Sequence, residues 1–350
     1  MRKLKYSEAI NEALVQVMDR YKDTVCYGLG VPDPKNVFST TEKLLQLFGS
    51  DRVFDVPTSE NALTGIAAGL AAKKTKVIFS HQRVDFSLLS MDQLINTLAK
   101  WYFMFGGKVN LPITIRMIIG RGWGQGPTHS QSFQSIFGRI PGLKVVMPSN
   151  AHDAKGMLIS SILDPNPVIF IEHRWLHETT SDVPKKFYKC DITNCKRIQR
   201  GKDITILTTS YSTYEVQSMK YILNINNISA DLIDLRVINP LNLSPIIKSI
   251  KKTGRLLSID TCHKKCSISS HIISEICQNH MKYLKTNPQL LALPDIPTPT
   301  SPSLIKQYYP SRKKIFLLIC KMLKKNKITI PKKYFLVKEY DRPEIFKGPF

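Results

Sequence analysis

The chain has 350 residues, of which 43% are hydrophobic, enough for two buried cores rather than one. No uninterrupted apolar run approaches the ~18 residues of a membrane span. The basic start Met1-Arg2-Lys3-Leu4-Lys5 passes into Tyr6-Ser7-Glu8-Ala9 rather than an apolar stretch, so no secretory leader is expected either.

The net charge of +23 raises nucleic acid as a partner, but its distribution argues otherwise. Basic residues crowd the segment after Ser311, and no basic stripe with interleaved aromatics crosses the main body. Seven scattered cysteines, an odd number, suit a reducing compartment, and a cytoplasmic protein is expected. Cys262, His263 and Cys266 lack a second ligand pair nearby, so they do not read as a zinc site.

Along the chain, short apolar runs alternate with helical patterns, the mark of an α/β fold with mainly parallel sheets. Strands are predicted over Lys76–Phe79, Ile113–Ile119, Leu143–Met147 and Val168–Glu172. Helices are predicted over Glu60–Ala72, Met91–Phe105 and Asp153–Leu163, each with apolar residues three and four apart. In the first helix Leu63, Ile66, Ala67 and Leu70 share a face, beside a small-residue stripe of Gly65 and Gly69.

Residues 177–202 are polar and carry Pro184, which reads as a connection. A second α/β unit follows, with strands over Ile204–Thr208, Asp231–Val237 and Arg255–Asp260 and a helix over Ser267–Gln278. Lys251-Lys252-Thr253-Gly254 ends a helix, basic residues first and glycine after. Leu293–Tyr309, with four prolines, reads as extended. The expected organisation is 1–185, a linker at 186–202, a second domain at 203–310 and a basic extension at 311–350.

Several motifs now carry a resemblance. Asp55-Val56-Pro57-Thr58-Ser59-Glu60 opens an Ala/Gly-rich helix. Asp85-Phe86, Met91-Asp92-Gln93, His129-Ser130-Gln131-Ser132, Pro141-Gly142-Leu143-Lys144-Val145-Val146 and Asp164-Pro165-Asn166-Pro167 follow in order, and Asp234-Leu235-Arg236 continues into the second half. Over about residues 5–310 the chain resembles the beta subunits of pyruvate and branched-chain 2-oxo acid dehydrogenase decarboxylating components, within the transketolase-like thiamine-diphosphate enzymes. The resemblance implies a transketolase-like pyrimidine-binding domain followed by a transketolase C-terminal-like α/β domain.

It also implies roles. Thiamine diphosphate needs one carboxyl group hydrogen-bonded to the far pyrimidine nitrogen, so that its aminopyrimidine can act as a base. Glu60 matches that residue; read alone, it is a helix N-terminal acid gaining ~0.3–1 kcal/mol from the dipole, with Thr58 or Ser59 as cap. Phe86 matches the aromatic that stacks on the pyrimidine, and Gln82 falls among the cofactor contacts. His129 matches the active-site histidine, and the glycine-rich run Gly120–Thr128 leads into it. In some members a potassium ion sits near the positions of Ile113, Ser161, Ile162, Asp164 and Asn166; read alone, 164–167 is a turn.

No Gly-Asp-Gly occurs in these 350 residues, although the family holds the cofactor's diphosphate through magnesium with that motif. An alpha-type partner is therefore implied, most simply in an α2β2 assembly, with a lipoyl acyltransferase as a further partner. The chain also departs from the family. Gly28-Leu29-Gly30-Val31 lacks the usual acidic pair, and His81-Gln82-Arg83 is more polar than the usual Met and aromatics. If His81 and Arg83 line the cleft, they favour an anionic or hydroxylated substrate. Two further readings stand beside 2-oxo acid decarboxylation with acyl transfer. One is carboligase or transketolase-type transfer to an aldehyde, separable by an acceptor assay. The other is a non-catalytic scaffold, against which the joint presence of Glu60, Phe86 and His129 speaks.

Overall fold

The structure, a computed structural model, describes residues 2–33, 37–121, 125–332 and 334–335. Gly122, Trp123 and Gly124 of the glycine-rich run, and Lys333, Lys338, Arg342 and Lys347 of the basic extension, lie outside the described residues.

Two α/β layers are present. The first is a seven-stranded sheet in the order Val237–Asn239, Lys144–Val146, Val168–His173, Ile113–Ile119, Lys76–His81, Thr24–Tyr27 and Val53–Phe54. Every neighbouring pair is parallel except the first, in which Val237 pairs antiparallel with Val146. Ile113–Ile119 is buried at all seven positions, because helices cover both faces. That burial is why its sequence is a near-continuous apolar run rather than an alternating one.

On one side the helix Tyr6–Arg20 packs against Ala151–Ile162, burying Ala9, Ile10, Ala13 and Leu14 with Ala154, Met157 and Leu158. Asn150 caps the second of these helices, its side chain accepting the Asp153 amide at 2.9 Å. The helix Glu60–Ala72 lies on the other side with the bounds expected, burying Leu63, Ala67, Ala68 and Ala71. The helix predicted over Met91–Phe105 is present as one helical run over 91–104, in which a π-helical stretch, Gln93–Leu98, passes directly into the α-helix Ala99–Met104. Leu94, Leu98 and Ala99 pack on this chain's core, whereas Tyr102, Phe103, Met104 and Phe105 at the far end are exposed.

The second sheet runs Gln289–Leu293, Leu256–His263, Ile204–Thr208, Ala230–Asp234 and Lys196–Gln199, with only the last strand antiparallel. The strand expected over Asp231–Val237 is two strands. Ala230–Asp234 belongs to this sheet, and Val237–Asn239 crosses to the first. The polar stretch 177–202 contributes Thr180–Val183, paired with Arg2–Lys5, and the edge strand Lys196–Gln199. Pro302 opens a short helix, Pro302–Tyr308, within the segment read as extended; proline at the first turn costs no hydrogen bond. In the basic extension, Arg312–Met322 is a helix that buries Ile315, Phe316 and Ile319 against the second sheet while its lysines face out.

Candidate functional site

Glu60, Gln82, Phe86 and His129 lie beyond the carboxyl ends of adjacent strands of the first sheet, where open α/β sheets place ligands, whereas the positions matched to a potassium site lie at the opposite strand ends. Thr24–Tyr27 leads to Gly28–Val31, Val53–Phe54 to Asp55–Ser59, Lys76–His81 to Gln82–Phe86, and Ile113–Ile119 to the run ending in His129. The first of these turns presses hard on its neighbour. A Cβ on Gly28 would lie 2.3 Å from the Ser80 carbonyl oxygen, and Gly30, at φ +71°, faces the Gln82 amide. Asp55 Oδ1 accepts the Gly30 amide at 2.9 Å, binding the first two turns together.

These turns enclose a cleft lined by Leu29, Val56, Thr58, Glu60, Leu63, Phe79, His81, Gln82 and Phe86. Glu60 is the first residue of its helix and is half-buried. Ser59 occupies the cap position without a side-chain cap bond, and the Glu60 carbonyl accepts the Thr64 hydroxyl at 2.7 Å. The carboxylate is left at the helix mouth without a bonding partner among the described residues. Phe86 stands in the 3-10 turn Val84–Ser90. Gln82 lines the cleft, but its amide donates to the Leu29 carbonyl at 3.1 Å and so ties the wall.

His129 reaches the same place from the neighbouring strand. Its ring meets Phe86 edge to face, with centroids 5.7 Å apart. Nδ1 lies 2.9 Å from the Thr128 hydroxyl, and the His129 carbonyl accepts from Arg83 Nη1 at 3.3 Å. Gln131 donates to Asp85 Oδ1 at 2.8 Å. Burial raises the Asp85 pKa, against the pull of Gln131 and Arg83. Arg83 thus braces the histidine turn and is absent from the cleft lining, whereas His81 forms part of that lining.

His81 is only 4% exposed, and its ring tilts over Phe79 at 4.5 Å. Burial pulls its pKa down to about 4, so the imidazole is neutral. Its Nε2 is enclosed and has no hydrogen-bond partner among the described residues, a condition that costs roughly 1–3 kcal/mol.

Sequence reasoning missed Arg121, at the start of the His129 run. Its guanidinium is buried among the rings of Trp175, Tyr211 and Tyr309 and pairs with Glu215 at 2.7 Å. Trp175 apart, those partners come from beyond residue 202, and Gln134 similarly donates to Asp260 at 2.8 Å. The second half of the chain therefore fixes the run that presents His129. No local pattern signals this.

At the positions matched to a potassium site, Ile113, Ser161 and Ile162 are buried, and the Ser161 hydroxyl donates to the Met157 carbonyl at 2.7 Å. Asp164 Oδ2 holds the Lys144 ammonium at 2.5 Å, and Oδ1 accepts the Asn166 amide at 2.9 Å. Asn166 Oδ1 is buried without a partner. Elsewhere, His152, Asp153 and Cys190 come close enough to share a metal. Asp153, however, already pairs with Lys196 at 2.9 Å and Arg236 at 3.0 Å, and burial pushes the Cys190 thiol up to about 11. Those two cations disfavour a third.

The cleft suits one part of thiamine diphosphate and not another. A carboxylate, an aromatic ring and apolar walls fit a pyrimidine. Its lining has no lysine, arginine or second carboxylate to meet a diphosphate and its magnesium.

Comparison with known proteins agrees with this geometry. Residues 2–178 match the model of the transketolase pyrimidine-binding domain, and residues 193–315 that of the transketolase C-terminal domain. The chain is 34% identical to the acetoin:2,6-dichlorophenolindophenol oxidoreductase subunit beta of Cupriavidus necator, covering 93% of this chain and 99% of that one. It is 32% identical to the mitochondrial pyruvate dehydrogenase E1 component subunit beta of Saccharomyces cerevisiae, covering 87% and 84%. Among solved structures, a split gene transketolase in an inactive beta4 tetramer superposes with a TM-score of 0.72 over 93% of this chain at 16% identity, a likeness of fold. With its two halves matched in order and its relatives covered almost end to end, the chain belongs to the transketolase-like family of thiamine-diphosphate enzymes, among the beta subunits of 2-oxo acid dehydrogenase decarboxylating components.

Proposed function

We propose that this chain supplies the pyrimidine-binding half of an active site completed by an alpha-type chain, in an enzyme that cleaves a 2-oxo acid or a related hydroxyketone and passes the fragment to an acceptor. The observation that supports the reading is that Glu60 and Phe86 line one cleft while the His129 ring sits against Phe86, the three arriving from separate strand ends. Bound thiamine diphosphate would supply a nucleophilic carbanion and an electron sink. Glu60, held at a helix mouth, would hydrogen-bond the far pyrimidine nitrogen and set the ring's proton affinity. Phe86 would offer its face to that ring. With Nδ1 of His129 engaged by Thr128, Nε2 is the atom left to hold or move a proton at the reacting group.

The diphosphate and magnesium would be held by the partner, since the chain has no Gly-Asp-Gly and the cleft no counter-charge. An exposed apolar face beside the site supports such a partner: Leu89, Phe103, Met104 and Ile66 emerge from the turn and helices around Glu60 and Phe86, and Phe103 is 88% exposed. An α2β2 assembly is the simplest arrangement. A cation at 113–166 would rest on main-chain oxygens and Asn166, because Lys144 already neutralises Asp164, and its role would be structural. No helix among the described residues is long and apolar enough to cross a membrane, and the dispersed free cysteines support a cytoplasmic site of action.

The second reading, aldehyde-acceptor carboligation, is separated from transfer to lipoamide by an acceptor assay. The test is co-expression with a chain carrying Gly-Asp-Gly and assay of pyruvate and acetoin with lipoamide or an aldehyde. Glu60→Gln should lower turnover at least about 100-fold with assembly intact; full turnover in that variant would remove Glu60 from its role.

A further inference from the structure

Besides the half-buried Glu60 carboxylate, the wall of the cleft holds one fully enclosed polar atom without a partner among the described residues. His81 closes the strand Lys76–His81, with its ring on the same sheet face as Phe79. The neighbouring Gln82 is already committed to the Leu29 carbonyl, and Arg83 to the His129 carbonyl. Of the cleft's lining residues, His81 has an enclosed ring nitrogen that none of the described residues bonds. A phenylalanine would fill that position beside Phe79 without leaving a polar atom unpaired. A buried orphan nitrogen lowers stability, so the free chain gains nothing from a histidine there.

We infer that His81 is a second polar anchor for the heterocycle that Glu60 engages, its Nε2 hydrogen-bonding the polar edge of the aminopyrimidine and so helping to set affinity and ring position. The inference rests on the reading that this cleft takes thiamine diphosphate. A neutral imidazole suits the task, since it offers a donor at one nitrogen and an acceptor at the other without bringing a charge against the ring. The bond would form only in the complex, so the residue trades stability of the free chain for grip on the ligand.

That trade gives a signature which a structural histidine would not show. In the pair reconstituted with the alpha-type chain, thiamine diphosphate binding is measured by calorimetry with magnesium present, and thermal stability is measured on this chain alone. His81→Phe should melt at the same temperature or a few degrees higher, yet bind thiamine diphosphate about 10-fold more weakly. His81→Gln, which keeps a donor and an acceptor, should bind within about 3-fold of wild type. Unchanged affinity in His81→Phe overturns the inference. So does a lower melting temperature, which would show that Nε2 is satisfied within the free chain. If the wild-type pair binds no thiamine diphosphate, the proposed function fails instead, and the two failures are told apart by that control.

Discussion

The ring of His129 stands nearly perpendicular to that of Phe86, at 83°, so two residues 43 positions apart in sequence share one wall of the site. Because the proposed roles differ, their substitutions should separate. Phe86→Ala removes a stacking face and should weaken thiamine diphosphate binding. His129→Ala should leave that affinity near wild type while lowering kcat by roughly 100-fold or more. Calorimetry beside steady-state kinetics on the assembled pair checks this, and equal losses of affinity in both variants would contradict the division of labour.

Arg116 tests the core beneath the site. It is 1% exposed and donates to Glu172 Oε1 at 2.7 Å and to the Thr40 hydroxyl at 2.8 Å. Burial works to raise the Glu172 pKa, but Arg116 and His177 outweigh it and hold the carboxyl below its ordinary range. Arg116→Met would strand a buried carboxylate and should cost about 3–5 kcal/mol, measured by urea unfolding. Adding Glu172→Leu should recover much of the loss. The depressed pKa also has a sign: this stabilisation is present above the unfolded carboxylate range and is lost as pH falls through the folded value.

Asp234 predicts the opposite pH dependence. Burial, aided by nearby Asp153, pushes its pKa up to about 7, despite hydrogen bonds from Ser149 at 2.5 Å and Thr213 at 3.1 Å. The folded state therefore holds a proton that the unfolded state releases near pH 4. Stability falls as pH rises from about 4 to 7, with the cost complete above 7. Asp234→Asn should raise the melting temperature at pH 8 and give no gain near pH 4, as read by calorimetric scans across that range.

The exposed face beside the site makes a claim about assembly. Phe103→Ser with Leu89→Ser should leave the secondary structure of this chain unchanged, since neither side chain belongs to its core. The same double variant should weaken association with the alpha-type chain at least about 10-fold in sedimentation experiments. Unaltered association would move the partner surface elsewhere.

Legibility in the sequence followed burial. Ile113–Ile119 and Ile204–Thr208 carried their bounds openly because each is enclosed on both faces and reads as an unbroken apolar run. Glu60–Ala72 did so because its apolar spacing and its boundaries agree. Glu60, Phe86 and His129 could be named only as a pattern of motifs; their meeting at one cleft depends on sheet order, which no local spacing encodes. One strand misled for a physical reason. Asp231–Val237 hides a change of sheet after Asp234. Arg121 and the unpaired Nε2 of His81 were silent for the same cause, since partnership at long range is a property of the fold alone.

The crossing at Val237–Asn239 bears on how the molecule comes apart. Because residues from the far half complete the rim of the near half's sheet, cutting the chain near residue 190 would expose the row of backbone groups on Lys144–Val146 that this strand covers. Expressed alone, an amino-terminal fragment should therefore self-associate through that bare edge. Intact protein should melt in one transition, its two halves surrendering structure together.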